Sequence, residues 1–290
     1  MENNLSWNSE EVENYVYNRS FDVIKAFRWE DCYAGFVNLE HRKDRLAHMV
    51  SEFERVGVFA ERFDAIDWRK QNWDVNYYGT MLRRTPGAIG CYLSQMGVMK
   101  KALEQNKSAI VFEDDLIFCS DFKERLDYIE NYINDKEPDF DVFWLGGTFH
   151  VNPPYWHTGR NPMLTGTTIG KDAECTDDAR IMRTYGCFST HAYIVNVKNI
   201  DKVLGLLEGQ IPTSIGIDYS FIRLQPQLKT FSFVPGCVKQ MDNMSDIGSG
   251  MTIYSGFSRL NGSVENSAYW WQDRMEDFDP EKFNWNECKK

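Results

Sequence analysis

The chain has 290 residues, of which 42% are hydrophobic and 14% aromatic, so a sizeable core is expected and disorder over most of its length is disfavoured. A net charge of -11 and a pI near 5.0 disfavour binding to nucleic-acid phosphates, and we expect no nucleic-acid partner. Seven cysteines without CxxC spacing argue against a zinc site or a disulfide framework. With no secretory signal and no apolar run of bilayer-spanning length, a cytoplasmic protein with no more than peripheral membrane contact is predicted.

The first part of the chain predicts a strand, a helix and a second strand. Polar residues with spaced aromatics predict a helical extension over 1–32. A short apolar run at 35–39 predicts a strand, helical spacing covers 42–56 until Gly57 ends it, and 60–66 predicts the next strand. Strand, helix and strand in this order build parallel sheets.

The rest of the chain continues the alternation. A glycine-rich turn at 86–90 precedes a predicted helix at 91–105, and further helices are predicted at 122–134, 200–207 and 217–224. Strands are predicted at 109–112, 141–147, 192–197 and 230–234, with a long irregular insertion over 148–180. The pattern predicts an α/β fold with a mostly parallel central sheet flanked by helices. Its main domain would span 33–247, with an aromatic and acidic tail over 248–290 that packs on the site or forms a lid over it.

The most informative feature is the apolar run 109–112 ending in Glu113, Asp114 and Asp115. Three neighbouring carboxylates repel one another unless a positive charge lies among them, and oxygen ligands suit Mg²⁺ or Mn²⁺. A cation at the carboxyl end of a strand lies where an α/β sheet binds a phosphorylated ligand. Because the glycine motifs of dinucleotide and P-loop sites are missing, a nucleotide-sugar site is the remaining common solution; a solvated acidic turn is the alternative.

Several motifs, in order, resemble glycosyltransferase family 25. They are 36–46 (FVNLEHRKDRL), 63–67 (FDAID), 87–95 (GAIGCYLSQ), 113–115 (EDD), 190–195 (THAYIV), 216–218 (GID), 235–240 and 245–247. The resemblance covers about 33–247, and it departs from the family at Gln95, where the family usually has His. The family includes lipooligosaccharide and collagen hydroxylysine galactosyltransferases. It implies a GT-A type fold, a UDP-sugar donor and inversion at the anomeric carbon.

The resemblance also implies roles for particular residues. Asp115 would be the main metal ligand, assisted by Glu113 or Asp114, and a later ligand would come from Asp246, Asp242, Gln240 or water. Asp218 would be the base that deprotonates the acceptor, although an ordinary helix N-cap is its alternative. Donor contacts are expected from Asn38, Leu39, Arg42, Arg45, Asp64, Asp67, Ser94, Glu113 and Asp114. A helix-surface charge is the alternative for Arg45, and a role in a turn is the alternative for Asp64 and Asp67.

The leading hypothesis is a metal-dependent, inverting glycosyltransferase using Mn²⁺ or Mg²⁺. It would move galactose or glucose from a UDP-sugar to a hydroxyl of a glycan, glycolipid, lipooligosaccharide or glycoprotein. Two alternatives stay open. One is a transferase of the same fold acting on an unusual acceptor, such as a modified nucleobase or a viral glycoconjugate. The other is an inactive family member serving as a scaffold. His191 is expected in the core, and Trp270 and Trp271 either pack on the core or stack on a sugar.

Overall fold

The computed structural model describes residues 26–148, 171, 173–241, 243–247, 251–252 and 276. Most of the predicted extension 1–32, of the insertion 148–180 and of the tail 248–290 lies outside the described residues, as do Asp242, Trp270 and Trp271. The predicted domain boundaries therefore stay predictions. Within 26–32 the chain forms one short 3₁₀ helix, Trp29–Asp31.

An eight-stranded sheet forms the centre of the fold, with the strand order β2-β1-β3-β8-β5-β9-β7-β6. The strands of the described chain are β1 (Tyr33–Asn38), β2 (Glu61–Asp64), β3 (Ala109–Phe112), β4 (Leu116–Phe118), β5 (Val142–Thr148), β6 (Ala173–Cys175), β7 (Ile181–Thr184), β8 (Phe188–Val195), β9 (Thr230–Phe233), β10 (Val238–Gln240), β11 (Asn243–Met244) and β12 (Met251–Thr252), the last two forming an antiparallel pair of their own. The parallel and antiparallel pairings give six of the eight strands one direction, while β7 and β8 run the other way. Strands β4 and β10 form a separate antiparallel ribbon.

Helices cover both faces of the sheet. They are α1 (Lys43–Val56), α2 (Val75–Arg84), α3 (Gly87–Glu104), α4 (Phe122–Lys136), α5 (Ile200–Gln210) and α6 (Ile217–Leu224), and short 3₁₀ turns occur at Trp68–Lys70, Val197–Asn199, Ile211–Thr213 and Gln225–Gln227. Gly57 ends α1 in the left-handed conformation at φ 66°, as predicted. The predicted α/β fold, with a mostly parallel sheet flanked by helices, is confirmed.

The core has two layers because side chains of a strand alternate between its faces. In β3, Ala109 and Val111 pack with α2, α3, α5 and α6, whereas Ile110 and Phe112 pack with α1 and α4. All four are buried, which explains why β3 is apolar throughout. Strand β3 thus lies in the middle of the domain, and the acidic residues that follow it emerge between the two layers.

Several elements differ from the predictions. The predicted turn at 86–90 is wrong from Gly87 onward, because these residues form the first turn of α3. A Cβ on Gly87 would lie 2.6 Å from the carbonyl oxygen of Asp246, so the glycine serves close packing rather than a turn. The sequence also missed α2, β4 and β10, and β8 begins at Phe188 rather than at residue 192.

The predicted irregular insertion over 148–180 is wrong in its described last part. Ala173–Cys175 forms β6, which pairs with β7 in antiparallel register at the edge of the sheet. No helix in the described ranges combines the length and apolar character needed to cross a membrane. The cytoplasmic location and the peripheral membrane contact stay predictions.

Candidate active site

A cleft opens at the edge of the sheet where the parallel strands β1, β2 and β3 end. This edge follows from the chain order, since strand–helix–strand units bring the carboxyl ends of their strands together. The cleft is lined by Val37, Leu39, Arg45, Ala65, Ile66, Asp67, Trp68, Arg69, Gly87, Gly90, Cys91, Glu113, Asp114, Asp115, Gln240, Ser245, Asp246 and Ile247. The acidic triplet and both of the basic side chains in this lining therefore face the same space.

Asp114 and Asp115 are largely buried and share the guanidinium of Arg45. One Arg45 nitrogen lies 2.5 Å from Asp114 Oδ1, and the other lies 3.5 Å from Asp115 Oδ2. Asn38, at the end of β1, donates its side-chain N–H to Asp114 Oδ2 at 2.7 Å. Burial raises the pKa of Asp114, while the Arg45 charge and these hydrogen bonds oppose that rise. Arg45 thus supplies positive charge to the triplet from inside the protein.

Glu113 is held from both sides by neutral amides. Its main-chain N–H donates to the carbonyl of His191 at 2.8 Å, which continues the β3–β8 pairing. The side-chain amides of Gln95 and Gln240 each donate to one of its carboxylate oxygens at 2.9 Å. Burial, followed by the nearby charges of Asp115, Asp218 and Asp114, raises the pKa of Glu113 well above its usual value. The surroundings of Glu113 therefore disfavour the negatively charged form of its side chain.

Asp218 lies in the first turn of α6, as predicted. Thr190, on β8, donates its hydroxyl to Asp218 Oδ1 at 2.6 Å. Burial raises the pKa of Asp218, and the hydrogen bonds to Thr190 act in the opposite direction. The residue before α6, Gly216, makes no side-chain cap, and Asp218 accepts from Thr190 of another element, so its contacts are not those of an ordinary N-cap.

The segment 245–247 forms the wall of the cleft opposite the triplet. Arg42, at the start of α1, pairs with the Asp246 carboxylate, and His41 lies 3.5 Å from it. The main chain of Asp246 and Ile247 rests directly on Gly87 of α3. These contacts explain why Arg42 and Asp246, distant in sequence, belong to one site.

The remaining predicted site residues divide into two groups. Leu39 and Asp67 line the cleft, and Asp67 also caps the turn Trp68–Lys70 by accepting from the Arg69 main-chain N–H. Asp64 ends β2 but is 73% exposed and pairs with Arg62 outside the cleft lining. Ser94 is fully buried, where it accepts from the Ile66 main-chain N–H and donates to the Gly90 carbonyl. Ser94 thus shapes the wall at Ile66, and its hydroxyl does not face the cleft.

The side chains of the cleft decide whether the predicted divalent cation can bind there. Among the described residues, no three His, Cys, Asp or Glu side chains already form a metal-binding group. Mg²⁺ and Mn²⁺ sites that act on phosphates need only one or two carboxylates, because the substrate supplies further oxygens. Asp115, with Asp246 across the cleft, fits that smaller requirement. The carboxylates of the triplet and of Asp246 already have partners in the protein, so a cation would replace part of these contacts.

Sequence reasoning missed part of the site. Arg69 and Trp68 line the cleft, and the only signal was their position just after the Asp67 motif. Thr190 belongs to the motif 190–195, from which the sequence predicted no role for it. His191, beside it, was expected in the core, and it is fully buried there, which lowers its pKa to about 4 and leaves the ring neutral at pH 7.

Comparison with known proteins places this geometry in a family. The model of glycosyltransferase family 25, described as an LPS biosynthesis protein family, matches residues 35–220, more than half of the chain. A probable inactive glycosyltransferase 25 family member 3 from Bos taurus is 28% identical over 40% of this chain and 22% of its own length. Procollagen galactosyltransferase 1-A from Xenopus laevis is 30% identical over 38% of this chain and 20% of its own length. The chain thus spans about a fifth of the curated relatives it matches.

Among solved structures, a glycosyltransferase involved in glycosylation of the major capsid of PBCV-1 is 10% identical, with a TM-score of 0.35. It covers 70% of this chain, and this chain covers 82% of it. The fold assignment therefore rests on the topology of the sheet and not on this likeness. The match over residues 35–220 begins within β1 and contains α3, the acidic triplet and Asp218, and the chain belongs to glycosyltransferase family 25.

Proposed function

We propose that the chain is a metal-dependent, inverting hexosyltransferase of GT-A type. It moves galactose or glucose from a UDP-sugar to a hydroxyl of a glycan, glycolipid or protein. The observation that carries the proposal is the acidic triplet in a cleft at the carboxyl ends of three neighbouring parallel strands. This is the place where open α/β sheets bind nucleotides.

The donor is proposed to lie along the cleft, with its diphosphate near Asp115. Asp115 and Asp246 would hold Mn²⁺ or Mg²⁺, which neutralises charge on the leaving diphosphate as a Lewis acid. Arg69, which pairs with Asp67 at 2.7 Å and is 51% exposed at the cleft wall, is proposed to contact a phosphate from there. Val37, Leu39 and Trp68 give the cleft apolar surface suited to the nucleoside.

Asp218 is proposed to accept the proton of the acceptor hydroxyl as that oxygen attacks. Its raised pKa makes it a stronger proton acceptor than an exposed carboxylate, and Thr190 fixes the orientation of its side chain. One displacement with one base inverts the configuration at the anomeric carbon. The proton therefore moves from the acceptor oxygen to Asp218, and the sugar–phosphate bond breaks with its electron pair going to UDP.

The experiment is a screen of UDP-sugars for UDP release with Mn²⁺, with and without EDTA. UDP-galactose or UDP-glucose should be consumed, and EDTA should stop the reaction. Thermal unfolding is measured in parallel, because a ligand at about 100 times its Kd stabilises a protein by about 2.7 kcal/mol. Asp115→Asn should lose the Mn²⁺-dependent stabilisation by UDP. Asp135→Asn, which changes a carboxylate that is 72% exposed on α4, is the matched control and should behave like the parent.

An inactive scaffold is the second candidate, and two observations favour it. The relatives include proteins named as inactive family members. In addition, the Asp114 and Asp246 carboxylates are already paired with arginines. The same screen separates the candidates: a chain that releases no UDP and gains no stability from UDP with Mn²⁺ is a scaffold, and the transferase proposal is then wrong.

A further inference from the structure

Gln95 lies between Glu113, which lines the cleft, and Asp218, which is not among the lining residues. It lies on α3, is fully buried, and uses both ends of its carboxamide. Its oxygen accepts from the Tyr193 hydroxyl at 2.9 Å, while its nitrogen donates to Glu113 at 2.9 Å and lies 3.4 Å from the Thr190 hydroxyl oxygen. The same nitrogen also lies 3.5 Å from Cys91 Sγ; its two hydrogens can serve Glu113 and Thr190, with the sulfur as a weak third acceptor.

The direction of the hydrogen bonds follows from the groups at the two ends. The Thr190 hydroxyl has one hydrogen, and its 2.6 Å contact to Asp218 uses it. Thr190 must therefore accept from Gln95. The result is a continuous path from Glu113 through Gln95 and Thr190 to Asp218, with Tyr193 fixing which end of the amide faces the carboxylates.

Tight packing of α3 on neighbouring elements brings Gln95 into position. A Cβ on Gly90 would overlap the carbonyl oxygen of Ile66, and one on Gly97 would overlap the ring of Phe63. On the strand side, a Cβ on Gly35 would lie 2.9 Å from Val98. Helix and sheet therefore approach closely on both sides of Gln95, which leaves its amide little freedom to turn away from Glu113.

We propose that Gln95 is a positioning residue that couples the acidic triplet to Asp218 through Thr190. The inference rests on the proposed function. A neutral amide suits this place because it donates to the Glu113 carboxylate and to the Thr190 hydroxyl without adding another charge to the cluster. Gln95 contacts neither donor nor acceptor in this assignment; it fixes Glu113 directly and Asp218 through one hydroxyl.

The test is a double-mutant cycle with Gln95→Met, Thr190→Val and the double variant. Gln95→Met keeps a similar length and volume but removes the amide donors and the oxygen that accepts from Tyr193, and Thr190→Val replaces the hydroxyl with a methyl group. We expect each single variant to lower the kcat of UDP release by about 10–100-fold, as loss of supporting contacts does at metal sites. The double variant should lose little more than Gln95→Met alone, because both act through one path. Thr190→Ser, which keeps a hydroxyl, should restore most of the kcat.

A second cycle on thermal unfolding makes the test independent of turnover. Gln95 and Thr190 should show coupled losses of stability, and Thr190→Val should keep the Kd for UDP with Mn²⁺ within about twofold of the parent. If the fold-losses of kcat of the two single variants multiply in the double variant, or if their losses of stability simply add, Gln95 and Thr190 are not coupled, and the proposed function still stands. A parent chain that releases no UDP refutes the proposed function, and this inference falls with it.

Discussion

Replacing Arg45 tests whether the acidic triplet depends on an internal cation. Arg45→Met keeps most of the aliphatic volume but leaves Asp114 and Asp115, each 6% exposed, without their guanidinium partner. Removing one member of a buried ion pair costs about 3–5 kcal/mol, because the other charge stays buried and unpaired. For a domain of this size each kcal/mol shifts Tm by about 2–4 °C, so Tm should fall by roughly 6–20 °C.

The assay is thermal unfolding of the parent and the variant, with and without Mn²⁺ and UDP. Because a divalent cation at Asp115 would supply the missing positive charge, the ligands should stabilise Arg45→Met more than the parent and narrow the gap. Arg28→Met is the control, since Arg28 pairs with Glu30 at 54% exposure and such pairs contribute about 0–1 kcal/mol. If Arg45→Met unfolds at the Tm of the parent, the ion pair does not stabilise the triplet. If Mn²⁺ and UDP leave the difference in Tm between Arg45→Met and the parent unchanged, the cation binds elsewhere.

Three further predictions concern the base, the cleft wall and the helix packing. Asp218→Asn should bind UDP with Mn²⁺ within about twofold of the parent but lower UDP release by about 10²–10⁴-fold, and normal turnover would exclude Asp218 as the base. Gly87→Ala should push residues 246–247 away, since its Cβ would lie 2.6 Å from the Asp246 carbonyl oxygen. Calorimetry should then show roughly tenfold weaker UDP binding, equivalent to about 1.4 kcal/mol. Unchanged binding would show that residues 246–247 do not form a wall of the UDP site. Gly90→Ala should lower the free energy of unfolding by about 1–3 kcal/mol, measured with denaturant, because the new methyl group would meet the main chain. Gly205→Ala, with open space around it on α5, should raise that free energy by about 1 kcal/mol. Equal effects of the two substitutions would refute the packing argument.

The sequence predicted those parts of the fold whose signals are local. Strands β1 and β3 are short apolar runs, and α1 has regular apolar spacing with a glycine at its end, so each could be identified from a few neighbouring residues. The β4–β10 ribbon could not be, because three residues at 116–118 become a strand only by pairing with 238–240. Helix α2 has a local start signal in its N-cap Asp74, which the sequence prediction did not use, whereas its packing against Ile211–Thr213 is visible only in three dimensions.

The same distinction applies to the site. The triplet, Asn38, Arg45 and Asp246 were all predicted, because carboxylates at a strand end and the family motifs mark them in sequence. Asp64 matches a motif equally well yet points to solvent, since a strand-end position does not specify which way a side chain faces. Gln95 and Thr190 carry no charge and have no spacing rule, so their place between Glu113 and Asp218 emerges only from the packing of α3 against β8.

The charges explain why this site suits a cation that arrives with its substrate. Within the described ranges, Arg45 is the cationic side chain in ion-pair contact with the triplet, while the amides of Gln95 and Gln240 orient Glu113 without neutralising it. Three neighbouring carboxylates in a cleft with apolar walls repel one another, and burial together with this repulsion raises the pKa of Glu113. A divalent cation held by Asp115 would reduce this repulsion, and a diphosphate would supply the further oxygen ligands that such a cation needs. A site built in this way needs no preformed three-ligand metal group, and it should bind UDP and the metal more tightly together than separately.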